Sequence, residues 1–355
     1  MSINRDIAIL FAGSHFPSTK LLHVCDPMTG SGVRTARYLL ETPNVAHVIA
    51  ADKESDAVEL ARETIRLNGL EGRANVVVND AHSLLSDHAE NRFDIIDLDP
   101  FGSPAPFFEC ALRATAAEGV IAATATDMGP LSGARPTACL RKYGVSAVRT
   151  EFEKEIAVRA LASCLTTTAS RLELGIDIAF SHTTDHYARV YAVLKKGRKA
   201  ANQSLAKLGY ITYCPSCLSR NDTKSISLVQ NTCATCSAPT KIGGPFWLGP
   251  LWDRQTVESM IRRTPTLTSS RLSDVQKILS IIQEEMDSPR FYYTTDAIAS
   301  AYTIKPPSVA LLIGLLRNEG YAATRTHFNP AGFRTSAPLP TVVASIRKIT
   351  EKSQT

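Results

Sequence analysis

The stretch that most limits what this chain can become is Phe93-Asp94-Ile95-Ile96-Asp97-Leu98-Asp99-Pro100-Phe101-Gly102. Its apolar run suits a buried strand of a parallel sheet. Pro100 stops the ladder because it has no N–H to donate, and Gly102 frees the backbone to turn. Asp99 and Phe101 are then expected at the C-terminal end of the strand, where open α/β sheets place their ligands. A carboxylate beside an aromatic ring can hold a flat amine: the ring stacks and the acid accepts its N–H groups. The alternative is an ordinary strand followed by a turn.

What precedes this stretch favours a ligand. Leu21 to Cys25 reads as a strand that runs through Asp26-Pro27-Met28-Thr29-Gly30-Ser31-Gly32 into a helix, Val33 to Glu41. This is the first unit of a doubly wound sheet, and Gly30 and Gly32 let the backbone approach a ligand closely. A dinucleotide fingerprint needs a third glycine, but position 35 is Thr. An acid ahead of the glycine pair, here Asp26, is the pattern of S-adenosylmethionine (SAM) sites, where it favours the cationic methionyl end. N-methyltransferases of nucleobase amines also use an acid or amide, a proline and an aromatic where Asp99, Pro100 and Phe101 stand.

A second strand, Val45 to Ala51, ends at Asp52, which is placed to accept both ribose hydroxyls of an adenosine. Ser55 is expected to cap a helix through Asn68, with Gly69 as its stop. A third strand, Ala74 to Val78, leads to Asn79-Asp80-Ala81. There an acid can hold the adenine amine and the Ala81 N–H can meet the ring; alternatively Asp80 only caps a helix. Beyond the opening stretch come a helix over Ala105 to Ala114, a strand over Gly119 to Thr126, and a loop at Asp127-Met128-Gly129-Pro130. A long helix follows over Phe152 to Thr167. The strands Leu172 to Phe180 and Tyr187 to Leu194 are joined too closely for a parallel crossover, so they are antiparallel. A doubly wound sheet closing in such a hairpin is typical of class I SAM-dependent methyltransferases, which are Rossmann-like α/β folds.

The length of 355 residues points to two domains. Gly197 to Gly209 reads as the boundary, giving a methyltransferase domain over 1–196 and a smaller zinc-containing α+β domain over 197–355. In the second, Cys214-Pro-Ser-Cys217 and Cys233-Ala-Thr-Cys236 are separated by fifteen residues. That spacing is the four-cysteine zinc pattern. With four thiolates no coordination position stays open, so the metal is structural. A disulfide pair or a redox motif is the alternative. Cys25, Cys110, Cys139 and Cys164 read as buried free thiols. Ile242 to Asp253 is rich in Gly, Pro and Trp and reads as a packed loop. Thr294 and Thr295 cap a short helix, Ser308 starts another that Gly320 ends, and Tyr321 to Ala337 forms a hairpin. That order resembles a winged helix, in which Arg317, Arg325, His327 and Arg334 could meet phosphates. A small module that only packs on its neighbour is the alternative.

Net charge, +5 from Lys+Arg 39 against Asp+Glu 34, names no polyanion partner by itself. Between Ala188 and Ser225, however, eight Lys/Arg face one acid, Asp222. This is either a phosphate-facing strip or a solvated linker face. The absence of a membrane-length apolar run and of a secretory signal pattern leads to the expectation of a cytoplasmic protein with no membrane contact. A monomer is expected, although no feature of the sequence fixes the oligomeric state.

Taken together, Asn4-Arg5-Asp6, DPMTGSGVR, Asp52, Asn79-Asp80-Ala81, DLDPFGSP, TDMGPLSGARP, LRKYG, DHYARV, IGGPFWLGPLWD and RTHFNPAGFRTSAP resemble the tRNA (guanine(26)-N2)-dimethyltransferase family in a form close to archaeal members. The resemblance runs over nearly the whole chain. It implies an enzyme that moves methyl groups from SAM to the exocyclic N2 of guanine 26 of tRNA. It implies Asp99 as catalytic acid with Phe101 beside the base, and Arg5, Arg34, Asp52, Asp80 and Ala81 as SAM contacts, beside Asp26, Gly30 and Gly32. It implies Cys214, Cys217, Cys233 and Cys236 as Zn2+ ligands. Family members usually carry a further segment before Asn-Arg-Asp with an aromatic that clamps the guanine. Here Met1-Ser2-Ile3 precede it, so either the start is truncated or another residue fills that role. The competing readings are an N-methyltransferase for another tRNA guanine and a non-catalytic RNA-binding protein with a vestigial SAM fold.

Overall fold

The computed structural model describes residues 2–89 and 92–352, which gather into two compact units, each assembled from separate stretches of chain. The first comprises Met1–Asp127, Cys164–Ala206 and Pro250–Lys277; the second comprises Met128–Ser163, Lys207–Gly249 and Ile278–Thr355. No described helix is long and apolar enough to cross a membrane.

In the first unit, α1 (Ser2–His15) leads to β1 (Leu22–Asp26), α2 (Val33–Glu41), β2 (Val45–Asp52), α3 (Ser55–Leu67), β3 (Ala74–Val78), α4 (Ala81–Asp87), β4 (Phe93–Leu98), α5 (Phe108–Ala114) and β5 (Thr115–Ala125). The late hairpin of β6 (Leu174–Thr184) and β7 (Tyr187–Lys196) completes a seven-stranded sheet in the order β3-β2-β1-β4-β5-β7-β6. Strands β1 to β5 pair in parallel, and β7 is antiparallel to both β5 and β6. This is the class I methyltransferase arrangement expected from the sequence, with the winding reversing between β1 and β4. All six residues of β4 are buried. Two of them are acids, which the sheet tolerates because each has partners: Asp94 pairs with Lys20 and accepts the His23 N–H, and Asp97 is treated below.

Two local expectations are corrected, and one stretch without a sequence reading gains a structure. Glu54, not Ser55, occupies the cap position of α3, and its side chain makes no capping bond. Asp127 to Pro130 is not all loop, because Met128–Leu131 forms a short helix. The N-terminal stretch, which carries little signal as a sequence, is a helix with Ile3, Ile7, Leu10 and Phe11 buried. Phe11 stacks on Tyr191 of β7 at 4.3 Å between ring centroids.

The second unit holds a three-stranded sheet of β8 (Leu208–Tyr213), β9 (Arg220–Thr223) and β10 (Lys241–Trp247) in the order β10-β8-β9. Strand β10 corrects the reading of Ile242 to Asp253 as a loop. It pairs antiparallel with β8 across a register shift between Gly243 and Phe246. Pro245 falls inside that shift, where the ladder does not need its missing N–H. A second small sheet joins β11 (Tyr293–Thr294), β12 (Ala323–Arg325) and β13 (Gly332–Thr335) in the order β11-β13-β12. Helices over Thr295–Tyr302, Val309–Asn318 and Leu339–Lys352 accompany it. Thr294 caps the first by accepting the Ala297 N–H, and Gly320, at φ 88, ends the second.

Two of the basic residues expected to face phosphates serve this unit's core instead. Arg334 lies buried between two carboxylates, donating from Nε to Glu285 Oε2 at 2.6 Å and from Nη2 to Glu155 Oε2 at 2.9 Å. The His327 ring bonds Glu285 Oε1. Glu155 also takes two bonds from Arg159, at 2.9 and 2.7 Å, and the Phe291 N–H. Arg317 and Arg325 are exposed. The basic run from Ala188 to Ser225 is similarly reduced: Arg189 is fully buried, Arg220 pairs with Glu151, Lys195 with Glu118 and Arg198 with Glu173.

Burial alone would raise the Glu285 carboxyl, but Arg334 and His327 outweigh it and hold it down at about 2. A depressed carboxylate contributes stability that is complete above its unfolded value of about 4.3 and lost as pH falls through the folded value. The thermal midpoint is therefore expected to fall between about pH 4 and pH 2, and Glu285→Gln to lower the midpoint at neutral pH and flatten that slope. The glycine turn supplies a second test. Gly30 and Gly32 have φ 56 and 73, but a Cβ on Gly30 would meet nothing within 4 Å, whereas one on Gly32 would lie 2.9 Å from the Ala61 backbone of α3. Gly30→Ala should cost roughly 1–2 kcal/mol for its left-handed backbone. Gly32→Ala should cost about 1–3 kcal/mol more for the overlap, read as a larger drop in denaturant midpoint.

Candidate active site and metal centre

The site grows from the sheet's switch point, where β1 and β4 lie side by side and the loops beyond them diverge. Beyond β1 the chain makes the Gly30–Gly32 turn. Asp52, at the end of β2, ties that turn down: its Oδ2 accepts the Gly30 N–H at 3.0 Å, and its Oδ1 accepts the Glu54 N–H at 3.1 Å. Asp26 is buried and accepts the Thr35 hydroxyl at 2.9 Å. Burial outweighs the field of Arg34 and the hydroxyls of Thr35 and Thr29, and lifts the Asp26 carboxyl to about 6. Asp80 caps α4 by accepting the His82 N–H at 2.8 Å, the plainer of the two roles open to it from sequence, and Ala81 opens that helix.

Beyond β4 the chain enters Asp99-Pro100-Phe101-Gly102. This turn is clasped at two points by Thr126, just past β5. The Gly102 N–H donates to Thr126 Oγ1 at 2.7 Å, and the Thr126 N–H donates to the Gly102 carbonyl at 2.9 Å. With the turn so held, Phe101 stands fully exposed. The Asp99 carboxylate is largely buried; Arg34 Nη2 donates to its Oδ2, and its Oδ1 has no hydrogen-bond partner among the described residues. A buried carboxylate oxygen left open beside an exposed ring suits a ligand that brings N–H donors.

Five residues that the sequence did not single out as site residues complete the site. Asp97 Oδ2 accepts from Arg34 Nη1 at 3.1 Å, from the Tyr38 hydroxyl at 2.8 Å and from Arg189 Nη2 at 2.7 Å. Asn4 Oδ1 accepts from Arg34 Nη1 at 3.2 Å, and Asn4 Nδ2 donates to Thr124 Oγ1 at 3.4 Å. Arg189 Nη1 also donates to Thr124 Oγ1, which closes a ring of hydrogen bonds through α1, α2, β4, β5 and β7. Strand register accounts for part of this: Asp97 pairs with Ala122, and Thr124 with Arg189, so Asp97, Thr124 and Arg189 share one face of the sheet. Burial would raise the Asp97 carboxyl, but Arg189 and Arg34 outweigh it and hold it below the ordinary carboxylate range. Arg5, half-buried on α1, is pushed down by burial and by Arg34 and Arg37. The signal that could have marked Asp97 is a second acid, after Asp94, inside a fully buried strand, where it requires a buried cation.

In the second unit the two cysteine pairs form matching knuckles. The Leu218 N–H donates to the Cys214 carbonyl at 2.8 Å and the Ser237 N–H to the Cys233 carbonyl at 2.9 Å. The residue after each pair is left-handed, Leu218 at φ 63 and Ser237 at φ 59. The four sulfurs lie within 4.8 Å of one another, with Cys214 and Cys236 at 3.5 Å and Cys217 and Cys233 at 3.6 Å. Tetrahedral zinc with bonds of about 2.3 Å separates its sulfurs by roughly 3.8 Å, so this donor set fits the ion.

A family model described as N2,N2-dimethylguanosine tRNA methyltransferase matches residues 1–347. This chain belongs to that family. It is 36% identical over 363 residues to a tRNA (guanine(26)-N(2))-dimethyltransferase of Pyrococcus horikoshii, covering 98% of this chain and 91% of that protein. It is 36% identical over 365 residues to the protein of that name from Thermococcus kodakarensis, with the same coverage of 98% and 91%. The solved complex of Trm1 from Pyrococcus horikoshii with S-adenosyl-L-methionine matches with a TM-score of 0.87 at 34% identity, covering 98% of this chain and 93% of that one. Within the family fold, the residues expected to serve the methyl transfer lie in the first unit and the four cysteines in the second.

If the four thiols hold zinc, the purified protein should contain about one zinc per chain. A strong chelator or Cys214→Ser should remove it and lower the thermal midpoint, since a structural site's binding energy is folding energy.

Proposed function

We propose that the chain is a SAM-dependent tRNA methyltransferase that methylates the exocyclic N2 of guanine 26, giving N2-methyl- and then N2,N2-dimethylguanosine. The observation that carries this reading is the Asp99 carboxylate, held by Arg34 at the switch point beside an exposed Phe101 and presenting a buried oxygen with no partner among the described residues. Guanine N2 is a poor nucleophile because its lone pair is delocalised into the ring. Asp99 Oδ1 accepts an N2–H and so turns the lone pair outward, while Phe101 lies against the base. SAM supplies a methyl on a sulfonium, a leaving group that departs as a neutral thioether.

Gly30, Gly32 and Asp26 shape the methionyl end of the cofactor site, Asp52 takes the ribose, Asp80 and Ala81 the adenine, and Arg5 and Arg34 the carboxylate. As the N2–C bond forms, the surplus N2 proton passes to Asp99 and then to solvent. A second round uses the remaining N–H after the amine rotates. Extracting the base from its stack costs a few kcal/mol. The chain from Gly197 onward, with its four-thiolate module and helix–helix–hairpin, contributes shape and phosphate contacts to the tRNA.

Incubation with unmodified tRNA and methyl-labelled SAM should place label in guanine 26 as the mono- and dimethylated nucleosides. Asp99→Ala should lower turnover by about 10²–10⁴-fold with SAM binding largely kept, as judged by calorimetry. Wild-type turnover in that variant would remove Asp99 from the mechanism.

A further inference from the structure

We propose that Arg189 and Asp97 are positioning residues for the transfer step: working through Arg34, they aim the Asp99 carboxylate and set the charge around it. The inference rests on the reading of Asp99 as the group that receives the N2–H. Neither residue reaches Asp99 by a hydrogen bond. Arg189 sits on β7, two strands from β4, and reaches Asp97 past Thr124 of the intervening β5. Asp97 takes one hydrogen of Arg34 Nη1 while Arg34 Nη2 turns to Asp99. A guanidinium is a rigid planar fork, so fixing one nitrogen fixes the direction of the other. Arg189 is itself held at all three nitrogens, by the Tyr191 hydroxyl at 2.9 Å, by Thr124 and by Asp97.

Charge leads to the same conclusion. Arg34 and Arg189 bring two positive charges into a buried space and Asp97 brings one negative charge. With the Asp99 carboxylate, the two guanidiniums face two carboxylates, and an uncompensated buried charge is costly. The other groups that act on the cluster are Arg5 from α1, Asp26 from β1, Tyr38 from α2 and Tyr191 from β7. Arg5 adds a further positive charge, and Asp26 is a weaker anion than usual because burial lifts it. Each round forms an N2–C bond, breaks the S–C bond with its electron pair going to sulfur, and delivers one proton to Asp99. That proton leaves to water before the second methyl is transferred.

The test is the pH dependence of kcat with saturating SAM and unmodified tRNA, alongside SAM affinity and thermal midpoint, for Arg189→Lys, Arg189→Gln and Asp97→Asn. Removing the Arg189 charge takes one of the two buried cations from the cluster and should move the acidic limb of kcat to higher pH. Removing the Asp97 charge leaves Arg34 acting on Asp99 alone and should move the limb to lower pH, with kcat down at least tenfold as Arg34 loses its anchor. Arg189→Lys keeps the charge and should leave the limb in place.

Opposed displacements support the proposal. Folded Arg189→Gln and Asp97→Asn proteins with an unmoved limb would overturn it, leaving a structural brace. If Arg189→Gln does not fold, Asp97→Asn decides by the same criterion. Full turnover in Asp99→Ala would sink the parent reading instead, and would be seen before any of these variants is made.

Discussion

A carboxylate with no solvent access in the middle of a parallel sheet cannot be left alone, and Asp97 is such a group. Its partners come from a helix and a distant strand: Arg34 and Tyr38 from α2 and Arg189 from β7. Asn4 of α1 and Thr124 of β5 then satisfy what those partners leave over. One charge therefore ties the N-terminal helix, the first helix of the doubly wound core and the late antiparallel hairpin to a single point. That point lies two residues before Asp99. The ionic requirement of the core and the placement of the Asp99 carboxylate are one problem with one solution.

Around this centre, the two turns at the switch point are each tied down within the chain. The glycine turn is pinned by Asp52 and packed against Ala61, and the turn after β4 is pinned by Thr126. The cost of methyl transfer to a weak amine then falls on orientation and on charge, which such a scaffold supplies.

The second unit solves a similar problem differently. Small sheets bury little apolar surface, and two devices compensate. One is the matched pair of cysteine knuckles; the other is the buried set of Glu155, Arg159, Arg334, Glu285 and His327. Read as sequence, Arg334 and His327 belong to the same basic population as Arg317 and Arg325, and all four look like phosphate contacts. The carboxylates that claim Arg334 lie 49 and 179 residues away along the chain. No local pattern carries that information.

The sequence by itself determined the alternation of strands and helices, the glycine turn after β1, the antiparallel closing hairpin and the four-cysteine set. Each of these is written in short-range terms: apolar periodicity, a residue that tolerates positive φ, a joint too short for a crossover, and a spacing that points thiolates at one centre. It did not determine that the first helix is buried, that Ile242 to Trp247 lie in a strand, or that Asp80 caps α4. Only the tertiary structure decided which cation answers which buried acid. Arg189 and Asp97 are 92 residues apart, and strands β5 and β7 had to pair in register before that arginine could share a face with that carboxylate. Side-chain charge is local information, but its compensation depends on which elements the fold brings together.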